Sequence, residues 1–168
     1  MDPQLAEDGA MACGARHIPE HGFALNGSAV AFGRGGHALR RNAPTILNAA
    51  LATSQFVDGR MKTLEEQIWG PLLADSEAWN PTVQDVVGRL RGRADYREAF
   101  RAAFDGRPVS QRLIGAALAA YERSITVGAS RFDLWRYAGD HAALDAEERA
   151  GFAVFRSSGC AECHSVGD

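Results

Sequence analysis

Two cysteines and a histidine near the end of the chain form the motif whose spacing specifies the most definite chemistry. The segment Cys160-Ala161-Glu162-Cys163-His164 reads C-x-x-C-H, the attachment motif of c-type haem. Each thiol can form a thioether to a haem vinyl group, and the adjacent histidine can then reach the iron. A zinc half-site and a dithiol redox pair are the alternatives. Zinc would need two further ligands, and a thioredoxin-type dithiol is expected beside strands, which the nearby sequence does not predict.

A related five-residue frame lies near the start of the chain, where Cys13-Gly14-Ala15-Arg16-His17 reads C-x-x-R-H. Arginine stands where the attachment motif has its second cysteine. Alone this is a weak signal, because a cysteine and a histidine four residues apart usually occur together by chance. Cys13 and His17 are therefore candidate haem-binding residues only if other parts of the chain support a haem site there.

Composition narrows the kinds of partner that the protein could have. The chain has 168 residues, a net charge of -3 and three cysteines. Its arginines are spread among acidic residues, which argues against nucleic acid, and no apolar run is long enough for a membrane span. The first residues, Met1-Asp2-Pro3-Gln4, lack the basic and apolar regions of a signal peptide. Bacteria attach haem c outside the cytoplasmic membrane, so we expect either that the start is missing or that the chain receives no haem.

Apolar periodicity and capping residues predict the helices that would position these motifs, and no segment has a convincing strand pattern. A short apolar helix is expected over residues 45–51. The other predicted helix starts are Thr63 with Glu66 as a capping box, Asn80-Pro81, Asp95, Ser110, Ser130 and Asp145. The last helix would run to Gly159 and deliver Cys160. Residues 1–44 are rich in glycine, so the sequence predicts an all-α protein with a loop-rich N-terminal third.

Short motifs at residues 2–5, 13–23, 41–45, 55–60, 64–67, 70–71 and 160–164 follow one another in a specific order. Together they resemble the bacterial dihaem cytochrome c peroxidase family, which includes the MauG-type enzymes. The resemblance implies a cytochrome c-like fold with two haem c groups. It also implies that residues 1–142 form the first, peroxidatic haem domain. Residues 143–168 would then be the opening helix and haem motif of a truncated second domain.

The resemblance gives the C-x-x-R-H frame a role as the first haem site with one thioether cysteine lost. His17 would be the axial ligand of the iron, and Cys13 could still form a single thioether. Arg16 could instead pair with a haem propionate. In the family the first haem is the one that reacts with peroxide.

Two further residues would act on the open side of that haem. Glu77 matches the family's acid, which can take a proton from the near peroxide oxygen and return it to the far one. The family's distal histidine falls about where Arg34 stands, which makes His37, three residues further on, a candidate. A solvated glutamate and an exposed loop histidine are the alternatives for these two positions.

The resemblance also covers the second haem and a metal ion, with one clear departure. Cys160, Cys163 and His164 would hold the electron-entry haem. Asn42 matches a residue that helps to hold calcium between the two domains in the family, although the other ligands would lie outside this chain. Val57 stands where many members have a tryptophan that relays electrons between the haems, and valine cannot be oxidised in that way.

The predicted function is therefore that of a haem-dependent oxidoreductase which reduces hydrogen peroxide to water. Electrons would come from a small c-type cytochrome or a cupredoxin, the location would be the periplasm, and a homodimer is one possible assembly. Two rival hypotheses are a non-catalytic haem-binding or electron-transfer module and an inactive truncated remnant. A third is MauG-type oxidation of a protein substrate, which the missing relay tryptophan disfavours.

Overall fold

The computed structural model describes residues 2–164. These residues form seven α-helices and no β-strand, which confirms the all-α prediction. The helices are α1 (Leu64–Gln67), α2 (Trp69–Leu73), α3 (Val83–Gly92), α4 (Ala94–Ala103), α5 (Gln111–Ser124), α6 (Arg131–Tyr137) and α7 (Ala146–Ser157). The chain divides into two compact units, Met1–Thr126 and Val127–Asp168. The haem-domain boundary expected at 142/143 stays a prediction, since chain compactness alone does not define a haem domain.

The segment up to residue 44 consists of loops and short 3-10 turns, as predicted. The turns cover Pro3–Leu5, Cys13–Ala15, Pro19–His21 and Arg34–Gly36. Isolated antiparallel pairings join Ile18 to Ala24 and Phe32 to Ala38. The candidate residues Cys13, His17 and His37 therefore lie in loops that need the helices as a support.

The core of the first unit provides that support. Val86 and Leu90 of α3, and Leu113 and Ile114 of α5, are each at most 3% exposed. Leu5, from the first 3-10 turn, belongs to the same apolar cluster. Burying an aliphatic side chain of this size contributes roughly 1.5–3 kcal/mol relative to leaving it exposed. The N-terminal loops are thus anchored to the helices through apolar packing.

Side-chain caps begin two helices of this unit at the predicted residues. Thr63 accepts a hydrogen bond from the Glu66 backbone N–H, and Ser110 accepts one from that of Leu113. The Glu66 carboxylate accepts from the Lys62 N–H at 3.1 Å, one residue before the position that a capping box requires. Each hydroxyl cap typically contributes about 1 kcal/mol to stability.

The predicted helix start at Asn80-Pro81 is wrong by two residues. Helix α3 begins at Val83, and Thr82 is its N-cap, because the Thr82 hydroxyl accepts from the Asp85 N–H at 3.2 Å. Threonine and asparagine both suit this position, so the local pattern alone did not separate the two alternatives.

Asn80 is instead a buried link between three segments of the chain. It is 1% exposed. Its Nδ2 donates to the Leu5 carbonyl at 2.9 Å and to the Leu72 carbonyl at 2.8 Å. Its Oδ1 accepts from Nη1 of Arg89 at 2.8 Å. The amide therefore joins the first turn, the end of α2 and the middle of α3.

The helix predicted over residues 45–51 is also wrong, since only Ala49–Leu51 forms a 3-10 turn. Asn48 has a φ of 57°, in the left-handed region that interrupts a helix. The Thr45 hydroxyl donates to the Gly22 carbonyl, which ties this segment to the N-terminal loops. Apolar composition was the only feature of residues 45–51 that favoured a helix. Hydrogen bonds to distant residues determine the conformation of this segment instead.

Glu122, a half-buried residue near the end of α5, has a carboxyl group with a raised pKa. Burial raises the pKa of Glu122 from 4.5 to about 7, with Arg123 opposing the shift and Glu65 adding repulsion. Because the folded pKa lies above the unfolded one, the folded state binds more protons between these two values. The contribution of Glu122 to stability therefore falls as the pH rises from about 4.5 to about 7.

The variant Glu122→Gln tests this effect. We expect it to be more stable than the parent protein at pH 8 by about 1 kcal/mol, a figure reduced for partial solvent screening. At pH 4 the two proteins should be equally stable, because the parent carboxyl is then neutral. Urea unfolding at both pH values measures the difference. Glu98→Gln, which changes an exposed residue of α4, is the control, and an equal gain there would contradict the assignment.

The second unit positions the C-x-x-C-H motif. Capping boxes begin both of its α-helices, at Ser130 with Asp133 and at Asp145 with Glu148. Helix α7 ends at Ser157, and Gly159 then adopts a φ of 79°, a conformation that glycine accommodates readily. The turn leads directly into Cys160, as the sequence predicts.

Among residues 2–164, no helix has both the length and the apolar character that crossing a bilayer requires.

Candidate active site

The two cysteine–histidine frames have the same backbone conformation. Cys13–Ala15 forms a 3-10 turn, and the His17 N–H donates to the Cys13 carbonyl at 2.8 Å. Cys160–Glu162 forms a matching turn, with the His164 N–H donating to the Cys160 carbonyl at 2.9 Å. Replacement of the second cysteine by Arg16 has therefore left the turn itself unchanged. Each turn thus places a cysteine and a histidine at the two ends of one backbone hydrogen bond.

His17 has the environment of a metal-ligating imidazole. Its Nδ1 lies 3.0 Å from the Phe23 carbonyl, and because a carbonyl only accepts, Nδ1 carries the proton. Iron-ligating histidines are commonly oriented by such a bond, which directs Nε2 toward the metal. Burial lowers the pKa of His17, as does Arg16, while the Phe23 and Pro44 carbonyls and Glu77 oppose the shift. The net lowering favours the neutral imidazole, which is the form that binds iron.

Cys13 is an exposed residue that makes no disulfide, and partial burial of its thiol raises the pKa of that group. A free thiol on the same turn as an oriented imidazole fits a haem held by one thioether and one axial ligand. Arg16 cannot form the second thioether. The residues present therefore fit haem c at this turn with a single covalent bond.

Arg16 points into the protein and binds the predicted acid. The residue is only 9% exposed. Its Nη1 lies 2.6 Å from Oε2 of Glu77, and the two side chains are 11% and 26% exposed. Its Nε is buried and has no hydrogen-bond partner within residues 2–164. The partner of Arg16 in this structure is therefore a protein carboxylate, that of Glu77.

Glu77 lies in a compact turn between α2 and α3. The N–H groups of Glu77 and Trp79 both donate to the Ala74 carbonyl, at 2.9 and 3.1 Å. The Asn80 N–H donates to the Leu72 carbonyl at 3.3 Å, and the Asn80 side chain binds the same carbonyl. The turn that carries the acid is therefore fixed at its far end by a buried amide.

His37 is exposed and follows the glycine-rich loop. It lines a pocket of 630 Å³ together with Arg34, Asp75 and Trp79, among others. The Arg34 guanidinium lies 3.9 Å from the centre of the Trp79 ring. His37 thus faces the same turn that carries Glu77, and its role as a distal residue stays a prediction.

A close backbone contact holds the His37 loop against this turn. A Cβ added to Gly33 would lie 1.8 Å from the Ser76 carbonyl oxygen. Gly33 has a φ of -96°, so the need for glycine here is one of space and not of conformation. Only glycine lets the loop approach the acid-bearing turn so closely.

Asn42 acts as a clamp within the N-terminal loops. Its Nδ2 donates to the Leu25 and Ser28 carbonyls, both at 3.0 Å. Its Oδ1 accepts from the Ala43 N–H at 2.8 Å. Within residues 2–164, no group of three or more histidine, cysteine or acidic side chains could hold a metal ion. The part of Asn42 in calcium binding stays a prediction.

The C-x-x-C-H motif lies at the surface of the second unit. Cys160, Cys163 and His164 are all exposed. Three such groups on one turn fit the attachment of haem c by two thioethers and one axial ligand. Val57, which stands where the family resemblance implies a relay tryptophan, is 84% exposed.

Sequence reasoning named Cys13, His17 and Glu77 as candidates, and their roles stay predictions. It did not anticipate that Arg16 binds Glu77 or that Asn80 supports the acid-bearing turn. The arginine in place of the second cysteine was the available signal, because an arginine carried into the interior needs a carboxylate partner. Nothing in the local sequence specifies which carboxylate that is.

Comparison with known families gives a match over most of the chain. The model of the family described as di-haem cytochrome c peroxidase matches residues 1–142. The methylamine utilization protein MauG of Methylorubrum extorquens is 38% identical over 167 residues, covering 98% of this chain and 46% of that protein. Cytochrome c551 peroxidase of Pseudomonas aeruginosa is 38% identical over 166 residues, covering 98% of this chain and 47% of that protein.

Two solved structures have a fold similar to that of this chain. The diheme peroxidase BthA from Burkholderia thailandensis superposes with a TM-score of 0.83 at 29% identity, covering 99% of this chain and 47% of that one. A MauG-like protein associated with microbial copper homeostasis gives a TM-score of 0.79 at 30% identity, covering 92% and 45%. The chain spans about half the length of the curated relatives and structures that it matches.

Proposed function

Because the chain belongs to the di-haem cytochrome c peroxidase family, we propose that it contributes the peroxide-reducing part of a haem c enzyme. The reaction converts hydrogen peroxide, two electrons and two protons into two molecules of water. We assign the peroxide-reacting haem to Cys13 and His17. The haem through which electrons enter is assigned to Cys160, Cys163 and His164.

One observation supports this proposal above the others. The His17 imidazole is oriented by the Phe23 carbonyl, and the Arg16–Glu77 ion pair brings an acid to the same turn. These two contacts support the proposal that His17 is the axial ligand and that Glu77, linked to the same turn through Arg16, is the proton-transfer group.

A haem bound at this turn would supply the redox chemistry that reduces peroxide. His17 would hold its iron, and the Phe23 carbonyl keeps the imidazole oriented. The Glu77 carboxylate would accept a proton from one peroxide oxygen and return it to the other, so that the latter leaves as water. His37, at the edge of the neighbouring pocket, is the candidate for the distal position.

The remaining assignments come from the family. Electrons would reach the second haem from a small c-type cytochrome or a cupredoxin in the periplasm. Asn42 would contribute one ligand to a calcium ion. Association into a homodimer is the corresponding assembly.

A second candidate function rests on Val57 and Arg16. With valine at the exposed relay position and one thioether cysteine replaced, the chain could serve as an electron-transfer or haem-binding module without turnover. Oxidation of a protein substrate is a third, suggested by the name of the MauG relative, and the absence of a relay tryptophan at residue 57 speaks against it.

Glu77→Gln in the haem-loaded protein separates these functions. We expect peroxide turnover with a reduced c-type cytochrome to fall about 100-fold, because general acid–base catalysis typically contributes at least this much. Haem content should be unchanged. Glu20→Gln, an exposed glutamate in the same unit, is the control. A parent protein with both haems bound and no turnover would favour the non-catalytic module.

A further inference from the structure

Arg16 carries a charge into a place where the attachment motif normally has a small, neutral thiol. The guanidinium is largely buried, and its Nη1 lies 2.6 Å from a carboxylate oxygen of Glu77. Removing one partner of a buried ion pair leaves the other charge uncompensated, which is strongly unfavourable. The two side chains therefore depend on each other.

The ion pair connects two turns that have no sequence proximity. Arg16 belongs to the Cys13–His17 turn, and its N–H donates to the Cys13 carbonyl at 3.1 Å. Glu77 belongs to the turn after α2, which ends at the buried side chain of Asn80. The short, charge-assisted contact between Arg16 Nη1 and Glu77 Oε2 keeps the acid close to the Cys13–His17 turn.

We propose that Arg16 is a positioning residue which holds the Glu77 carboxylate against the first haem-attachment turn. The lost thioether is thus replaced by an ionic link that serves proton transfer and not haem attachment. Arg16 touches neither peroxide nor the reacting atoms and acts through Glu77. This inference rests on the proposed function of Glu77 as proton acceptor.

The variant Arg16→Cys gives opposite results under the two interpretations of this position. It restores C-x-x-C-H and removes the ion pair. If Arg16 is only a lost cysteine, restoring the thiol should leave proton transfer unchanged or improve it. If Arg16 positions Glu77, the variant should gain a second thioether and lose proton-transfer ability. The α-band of the denatured haem in alkaline pyridine reports the number of thioethers.

Cyanide binding to the oxidised, haem-loaded protein measures proton transfer without turnover. Hydrogen cyanide loses its proton when cyanide binds iron, and Glu77 would accept that proton. We expect Arg16→Cys to bind cyanide about tenfold more slowly than the parent, since displacement of a catalytic group commonly costs this much or more. Arg16→Lys keeps the charge but loses the planar guanidinium, so its rate should lie between those of the parent and Arg16→Cys.

Glu77→Gln provides the matched background. It should slow cyanide binding in the parent, and adding Arg16→Cys to it should cause no further loss. Equal rates for the parent and Arg16→Cys, or a tenfold loss from Arg16→Cys that persists beside Glu77→Gln, would overturn the inference. A parent that binds cyanide as expected but does not turn over peroxide would defeat the proposed function and leave the role of Arg16 supported.

The haem-free protein gives a second, independent measurement. Arg16→Met and Glu77→Gln alone should each raise the unfolding equilibrium constant, by about 100-fold for a mostly buried pair. The double variant should be more stable than the two single effects predict, because neither charge is left unpaired. Additive effects in this cycle would contradict a direct ionic link.

Discussion

Replacing His17 with glycine is expected to lower peroxide turnover by on the order of 100-fold or more, because loss of even a second-shell partner of a metal ligand costs about 10- to 100-fold. The structure places His17 on a 3-10 turn, orients its Nδ1 by the Phe23 carbonyl and keeps the ring neutral. Added imidazole should restore part of the turnover by taking the vacated position. Turnover with reduced c-type cytochrome measures both effects.

His21→Gly is the matched control for this variant. His21 is exposed and ends the neighbouring 3-10 turn, so its replacement should leave turnover within about twofold of the parent if only the ligand matters. Retention of full turnover in His17→Gly without imidazole would show that another residue holds the iron.

Replacing Asn80 with alanine is expected to cost about 3 kcal/mol of unfolding free energy. The variant leaves the Leu5 and Leu72 carbonyls without their side-chain donor and removes the acceptor of Arg89. Each buried polar group left unsatisfied costs about 1–3 kcal/mol, and the cavity left by the amide adds to this. Urea unfolding of the haem-free protein measures the loss.

Asn26→Ala serves as the control, because Asn26 is exposed and its replacement should change stability by about 0.5 kcal/mol or less. Hydrogen exchange adds a local test, since the Asn80 variant should lose protection at the Glu77 and Trp79 amides of the acid-bearing turn. A cost below about 1 kcal/mol would show that water or the backbone replaces these bonds at little expense.

The positions of most helices could be predicted because their signals are local. Ser110, Ser130 and Asp145 begin helices by capping N–H groups only three residues away. The apolar residues Val86 and Leu90, four positions apart in α3, are both buried, as helical spacing favours. Tyr121 of α5 is 45% exposed because it lies at the boundary of the core.

The errors arose where distant residues decide the local structure. Asn80 has the sequence context of an N-cap, yet its amide is used by carbonyls of Leu5 and Leu72. The segment 45–51 is apolar, but a left-handed residue at Asn48 and a bond from Thr45 to Gly22 replace the helix. Tertiary partners outweigh propensities of a few tenths of a kcal/mol per residue.

In the candidate site, too, local features could be predicted from the sequence and contacts between distant residues could not. Cys13, His17 and Glu77 could be proposed as site residues from motif matching, because residue type and spacing are readable in the sequence. The geometry did not, since the bond between Arg16 and Glu77 spans turns that are far apart in the chain. The placement of His37 beside the same turn depends on the contact between Gly33 and Ser76, which no local pattern encodes.

The covalent haem content of the chain tests the central claim most directly. The protein should be produced with the bacterial cytochrome c maturation system, denatured, and analysed by intact mass and by the pyridine haemochrome spectrum. We predict two covalently bound haems per chain, of which Cys13→Ser removes one. A single haem that is unaffected by Cys13→Ser and lost on replacing Cys160 and Cys163 would contradict a peroxide-reacting haem at the Cys13–His17 turn.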